Sequence, residues 1–119
     1  MRYVLLFAGD QSAFNSMTPD DIQAMYGQIG EWWGKHTAAG TITEGQQLQP
    51  PNTATTVRHG NGSGSTTITD GPFIEAKEQI GGYAVIEVAS LDQALELAKT
   101  WPAKGTVEVR PPVAMGSMS

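Results

Sequence analysis

The stretch Ile80-Gly81-Gly82-Tyr83-Ala84-Val85-Ile86-Glu87-Val88 carries the plainest strand signal in the chain. Successive side chains alternate across a strand, so Tyr83, Val85 and Glu87 share one face and Ala84, Ile86 and Val88 the other. Both faces carry apolar residues, and both are expected to be at least partly covered. Directly downstream, Ser90 with Gln93 makes a capping-box pattern, and Leu91, Ala94, Leu95, Ala98 and Trp101 form an apolar stripe that stops at Pro102. A last strand, Thr106 to Arg110, ends at Pro111-Pro112. The second half of the chain therefore reads as a β-α-β unit.

The first half repeats that order. Val4-Leu5-Leu6-Phe7-Ala8 is an apolar run too short for a signal core or a membrane span, and Asp10 follows where a cleavage site would want small residues. It reads as a buried first strand. After a polar stretch from Gly9 to Met17, Thr18-Pro19-Asp20-Asp21 supplies a capping hydroxyl, a proline for the first turn and acids for the positive end of the helix dipole. Ile22, Met25, Tyr26, Ile29, Trp32 and Trp33 then recur at helical spacing as far as Gly40, which predicts a helix from about Pro19 to Ala39. Gly27, Gly30 and Gly34 each cost that helix about 1 kcal/mol against alanine, and close packing of the glycine side on a sheet is the expected compensation.

Strands are expected over Thr41 to Leu48, Thr53 to His59 and Ser65 to Thr69, with Pro50-Pro51 as a break and Gly60 to Gly64 as a hairpin loop. The whole order is that of an α+β ferredoxin-like split βαβ with an inserted β-hairpin, in one domain over residues 1–112 with a mobile tail over 113–119. Right-handed crossovers put both helices on one sheet face. The other face is left without cover, and pairing with a second copy as a dimeric α+β barrel is the economical solution, so a homodimer is expected.

Composition narrows the function classes. At 119 residues there is room for one domain, and 39% apolar with 16% charged residues are values of a folded globular chain. Without cysteine there is no disulfide, thiolate metal site or thiol nucleophile, and a cytoplasmic location is the expectation. A net charge of −5, with seven scattered Lys and Arg, argues against nucleic acid as a partner, and no segment suits a membrane. His36 and His59 lie 23 residues apart without a spaced partner ligand, so neither a metal nor a cofactor is expected.

The run from Asp70-Gly71-Pro72-Phe73-Ile74-Glu75 through Ala76-Lys77-Glu78-Gln79-Ile80-Gly81-Gly82-Tyr83 resembles the signature of the DGPF branch of the YCII-related family. Leu48-Gln49-Pro50-Pro51, Ala54 to Arg58, Ser90-Leu91-Asp92 and Gly105 to Pro111 are similar to it in the same order, so the likeness covers nearly the whole chain. It implies a dimeric ferredoxin-like barrel with a pocket between sheet and helices. Members are mostly uncharacterised; many are encoded near extracytoplasmic-function sigma factors, and a few relatives act on small aromatic or lactone-like compounds. Shorter relatives are thought to pair an aspartate with a histidine on the first helix. That histidine position falls near Gln28 and Ile29 here, and His36, two turns further on, is its only local substitute.

Each candidate residue has a functional and a structural reading. Asp70 is either an acid or base at a pocket walled by Phe73 and Tyr83, or the carboxylate of an Asx-turn holding the loop. His36 is a weak catalytic candidate, since a boundary histidine beside Trp32 and Trp33 is the simpler reading. Arg58 suits a carboxylate-bearing substrate, against an ion pair with Glu44, Glu87 or Glu108. His59 reads as solvated, and Gly60 to Gly64 lacks the lysine and helix of a phosphate loop. Together these point to a small-molecule pocket protein, as a cofactor-independent isomerase, lyase or hydrolase using Asp70, with Arg58, Phe73 and Tyr83 at the substrate. The alternative is a regulatory or sensing module without catalysis.

Overall fold

The computed structural model describes residues 1–60, 64–74 and 77–114. The tip of the hairpin loop, Glu75 and Ala76 of the signature run, and the tail beyond residue 114 lie outside the described residues. The elements are β1 (Arg2–Asp10), α1 (Gln11–Asn15), α2 (Pro19–Ala38), β2 (Ile42–Gln47), a single 3-10 turn (Pro51–Thr53), β3 (Thr55–His59), β4 (Thr66–Asp70), β5 (Glu78–Glu87), α3 (Leu91–Lys99) and β6 (Thr106–Arg110). Four of the strands form an antiparallel sheet in the order β2-β5-β1-β6, while β3 and β4 form a separate two-stranded hairpin. The chain is thus α+β, with α2 joining β1 to β2 and α3 joining β5 to β6.

The predicted caps form. The Thr18 hydroxyl accepts from Asp21 N at 3.1 Å, and Ser90 Oγ accepts from Gln93 N at 3.2 Å. The Gln93 side chain reaches back to Ala89 N at 2.8 Å, which satisfies a second orphan donor at that helix start. Gly40, with φ of 79°, ends α2 in the left-handed region that glycine enters without steric cost.

Register explains how the core is built. Leu5 stands opposite Ala84 on one side and Val109 on the other, and Tyr3 stands opposite Ile86. These residues share a face with Phe7 and Ile42, and that face packs on Trp32 of α2 and on Ala94 and Leu97 of α3. Both helices lie on it. Tyr83 and Val85 point the other way, opposite Leu6 and Val4, and are half-buried without a helix over them. Among the described residues no helix is long and apolar enough to cross a membrane.

Three sequence expectations change. The stretch after Gly9 is not irregular: β1 runs on to Asp10, and α1 follows at once. The strand expected from Thr53 begins two residues later, because the Pro50-Pro51 break is followed by the 3-10 turn. The glycine side of α2 does not meet the sheet either. Gly27, Gly30 and Gly34 are exposed, and a Cβ at any of them would meet nothing within 4 Å. Gly45 is a glycine that close packing against α2 does require: a Cβ there would stand 2.5 Å from both Trp33 Cη2 and the Tyr83 carbonyl oxygen.

Gly30→Ala and Gly34→Ala are each expected to raise stability by roughly 1 kcal/mol, since alanine removes unfolded-state freedom and meets no neighbour. Gly45→Ala is expected to lower it by about 1–3 kcal/mol through overpacking. Denaturant midpoints measure both, and a loss in the α2 variants would show that the exposed side is in fact covered.

Candidate functional site

Phe7 sets the back wall of a cleft of about 610 Å³ between the helices and one end of the sheet. Its ring stacks on Trp101 at 3.9 Å and 16°, and Trp32 meets both edge-on, at 5.7 Å from Phe7 and 5.0 Å from Trp101. Trp32 is fixed in turn, because its indole Nε1 donates to Thr100 Oγ1 at 2.8 Å. Phe14, Met17, Met25 and Ile29 continue the apolar lining, whereas Asp10, Gln11, Gln28, Gln47 and Lys104 bring polar groups to it. A volume of this size and a mostly apolar wall with a few polar groups are what small-molecule sites have.

Two acids line this cleft, Asp21 of α2 and Asp10; Asp10 is the one fixed by local donors. It ends β1 and caps α1, and its Oδ1 accepts from Ser12 N at 2.9 Å, Ser12 Oγ at 2.7 Å and Ala13 N at 3.3 Å. Its Oδ2 stands 3.6 Å from Lys77 Nζ. The Ser12 hydroxyl holds its carboxyl below the ordinary aspartate value; partial burial opposes this, and the Ala13 and Ser12 amides and the Lys77 charge add to it. The group is therefore an ionised acceptor at neutral pH. It can anchor a cation or a hydrogen-bond donor, and it is poorly suited to donating a proton.

The residues singled out from sequence lie elsewhere. Asp70 ends β4 opposite Thr55, is exposed, and among the described residues its carboxylate has neither a hydrogen bond nor an ion pair, so the Asx-turn contacts are not made there. The loop after it is held from the other strand instead: Gly71 N donates to the Ala54 carbonyl, Thr56 Oγ1 to the Gly71 carbonyl, and the Arg58 guanidinium to the Phe73 carbonyl. Arg58 thus meets a backbone oxygen, where an acid was the structural expectation. Phe73 is 60% exposed, and Tyr83 lies on the open face of the sheet. His36 packs against Trp32 with ring centroids 5.0 Å apart, which matches its structural reading. None of these five lines the cleft. Gln28 and Ile29, near which the family resemblance puts the first-helix histidine of shorter relatives, both do. Among the described residues no three His, Asp or Glu side chains come together as a metal site would require.

Sequence reasoning passed over Asp10 because it weighed that residue only as an argument against a leader peptide. The available signal was local: an acid after a buried strand with serine two residues on is an Asx or N-cap pattern.

Two depressed values act together on stability. Ring burial, and then the Lys35 charge, push His36 below the ordinary histidine value of 6.5, so the folded chain loses stability as pH drops below that value. The Asp10 contribution is complete above the unfolded value of 3.8 and is lost as pH falls through its lower folded value. In thermal midpoints between about pH 8 and 3, His36→Gln is expected to flatten the first decline and Asp10→Asn the second. Unchanged profiles in both variants would assign the acid sensitivity to other groups.

Two comparisons bear on the identity of the chain. The family model of the YCII-related domain matches residues 1–115. An uncharacterised protein of Rhizobium meliloti (strain 1021) is 34% identical over 115 residues, covering 93% of this chain and 91% of the relative. A match over nearly the full length, on a chain with this strand order and a cleft between sheet and helices, places it plainly: the chain belongs to the YCII-related family.

Proposed function

We propose that the protein binds a small molecule in the cleft, with a flat apolar body against the Phe7–Trp101 wall and a cationic or hydrogen-bond-donating group on Asp10. The observation that carries this reading is a carboxylate held ionised by three donors on one oxygen, set in a cleft whose back wall is aromatic. Proton transfer in catalysis favours a group whose pKa lies near the working pH. Asp10 is held low, neither histidine lines the cleft, and Asp70 stands on the hairpin. These features support ligand binding or sensing over acid–base turnover, and they assign Asp70 and Arg58 to the hairpin rather than to the ligand of their own chain.

The same proposal takes the protein to be a homodimer in which two open sheet faces close an α+β barrel. What supports it is the strip Val4, Leu6, Tyr83 and Val85, which lies half-buried on the face that the helices do not reach. Sedimentation equilibrium is expected to give twice the chain mass of 12.7 kDa; a concentration-independent mass of one chain would refute this part.

Binding is tested with a charge-matched pair of probes, 1-naphthylmethylamine and 1-naphthoate. The amine is expected to quench tryptophan fluorescence and to shift the amide signals of residues 7–14, and Asp10→Asn to weaken it about tenfold, as loss of a charge-assisted contact should. Equal response to both probes, or shifts confined to residues outside the cleft, would refute the assignment.

A further inference from the structure

Asp10 stands at the end of β1, and the sheet order puts β5 on one side of that strand and β6 on the other. Both neighbours run antiparallel to β1, so both begin where it ends. Each start is preceded by a lysine: Lys77 directly before Glu78 of β5, and Lys104 two residues before Thr106 of β6. The fixed carboxylate is thus flanked by two cations.

Lys77 is tied to the cleft by its main chain, whose carbonyl accepts from Gln11 N at 3.0 Å, and its Nζ stands 3.6 Å from Asp10 Oδ2. That separation is an ion pair looser than a hydrogen bond. Lys104 lines the cleft, and among the described residues no acid pairs with it. Gly105 fixes where Lys104 starts: a Cβ there would stand 3.2 Å from Gly9 Cα and closer still to the Ala8 carbonyl. Consecutive Cα atoms are about 3.8 Å apart, so Lys104 and Asp10, each one residue from that contact, leave the backbone within about 12 Å of one another. Two further acids are near. Glu78, opposite Asp10, is engaged by Thr106 Oγ1, which donates to its carboxylate at 2.9 and 3.1 Å. Asp21 lines the cleft from the first turn of α2.

These charges select among ligands. Local donors occupy Asp10 Oδ1, which leaves Oδ2 for a ligand, and Lys77 already stands on it. A simple amine placed there sets two ammonium groups on one oxygen. A ligand with a carboxylate beside its ammonium removes the conflict, because Lys77 then exchanges Asp10 for the ligand's carboxylate and every charge keeps an opposite neighbour. The 3.6 Å between Nζ and Oδ2 sets the spacing, since complementary charges that close together are those borne by one carbon. Lys104 adds a second cation for the same carboxylate, and Asp21 a second acceptor for the ammonium.

We propose that the cleft takes a zwitterion of the aromatic α-amino acid class, with its ammonium on Asp10, its carboxylate between Lys77 and Lys104, and its ring against the Phe7–Trp101 wall. The proposal rests on the ligand-binding reading above and names the class of ligand.

The test compares 1-naphthylalanine with its carboxamide, which keeps the ammonium and loses the carboxylate, by calorimetry at about pH 6, where both carry the ammonium charge. Wild type is expected to bind the amino acid about tenfold more tightly than the amide. Lys77→Gln is expected to weaken the amino acid about fivefold and to tighten the amide about twofold, because it removes a partner of one and a competitor of the other. Lys104→Gln is expected to weaken the amino acid and leave the amide unchanged. Equal wild-type affinity for both probes, or a shift of both in the same direction in Lys77→Gln, overturns the ligand class; binding of 1-naphthylmethylamine that still depends on Asp10 then leaves the broader reading standing. Unchanged amino-acid affinity in Lys104→Gln overturns the share given to that lysine. If none of the three naphthyl compounds binds, both readings fall.

Discussion

The stack of Phe7 on Trp101, braced edge-on by Trp32, is the contact on which the rest depends. It ties three otherwise separate pieces together: the middle of β1, the second turn from the end of α2, and the segment just after α3. Aromatic pairs of this geometry contribute about 0.5–1.5 kcal/mol beyond the area they bury, and here three rings share the contacts. The Trp32–Thr100 hydrogen bond adds a direction to that packing, so that α2 is held against the end of α3 at a defined rotation. Without this brace the cleft has no back wall.

The brace stands beside an irregularity that shapes the site. Between Phe7 and Ala8 the pairing of β1 with β5 shifts by one residue, leaving Gly81 as the extra residue on β5. A bulge of this kind twists and re-aims a strand. Beyond it β1 runs only to Asp10, whose carboxylate ends the strand and starts α1 in the same gesture by accepting two backbone donors and the Ser12 hydroxyl. One acidic side chain thus serves the local fold and places a fixed negative charge at the cleft. Capping and the proposed ligand contact use the same ionised state, so the two roles do not compete.

The hairpin follows a different rule. Its strands pair with each other, and the contacts of Gly71 and Phe73 lay the returning loop back across β3. Gly71 takes a φ of 98°, which only glycine adopts without strain, and this lets its carbonyl meet Thr56 while its amide meets Ala54. The Asp70-Gly71-Pro72-Phe73 run is therefore read most simply as the hinge that returns the chain across β3. Among the described residues its aspartate side chain takes no part in those contacts.

The elements themselves were legible in the sequence because their signals are local. Alternation in residues 80–88, the Ser90–Gln93 cap, the Thr18-Pro19 start and the Gly40 stop each act over a few residues and formed as read. Period two also sorted the residues of β5 into two faces, but that the Ala84 and Ile86 face is the one the helices cover was decided by the tertiary structure. The site was not legible in this way. Phe7, Asp10, Ile29, Gln47, Trp101 and Lys104 are scattered over the chain, and only the order β2-β5-β1-β6 with both helices on one face brings them around one cleft. Tertiary packing likewise decided that Gly45, and not the glycines of α2, would lie under a tryptophan, since whether a glycine is crowded depends on what crosses it and not on its neighbours in sequence. Local patterning determines where strands and helices begin and end; which acid faces a cavity is a property of the assembled sheet.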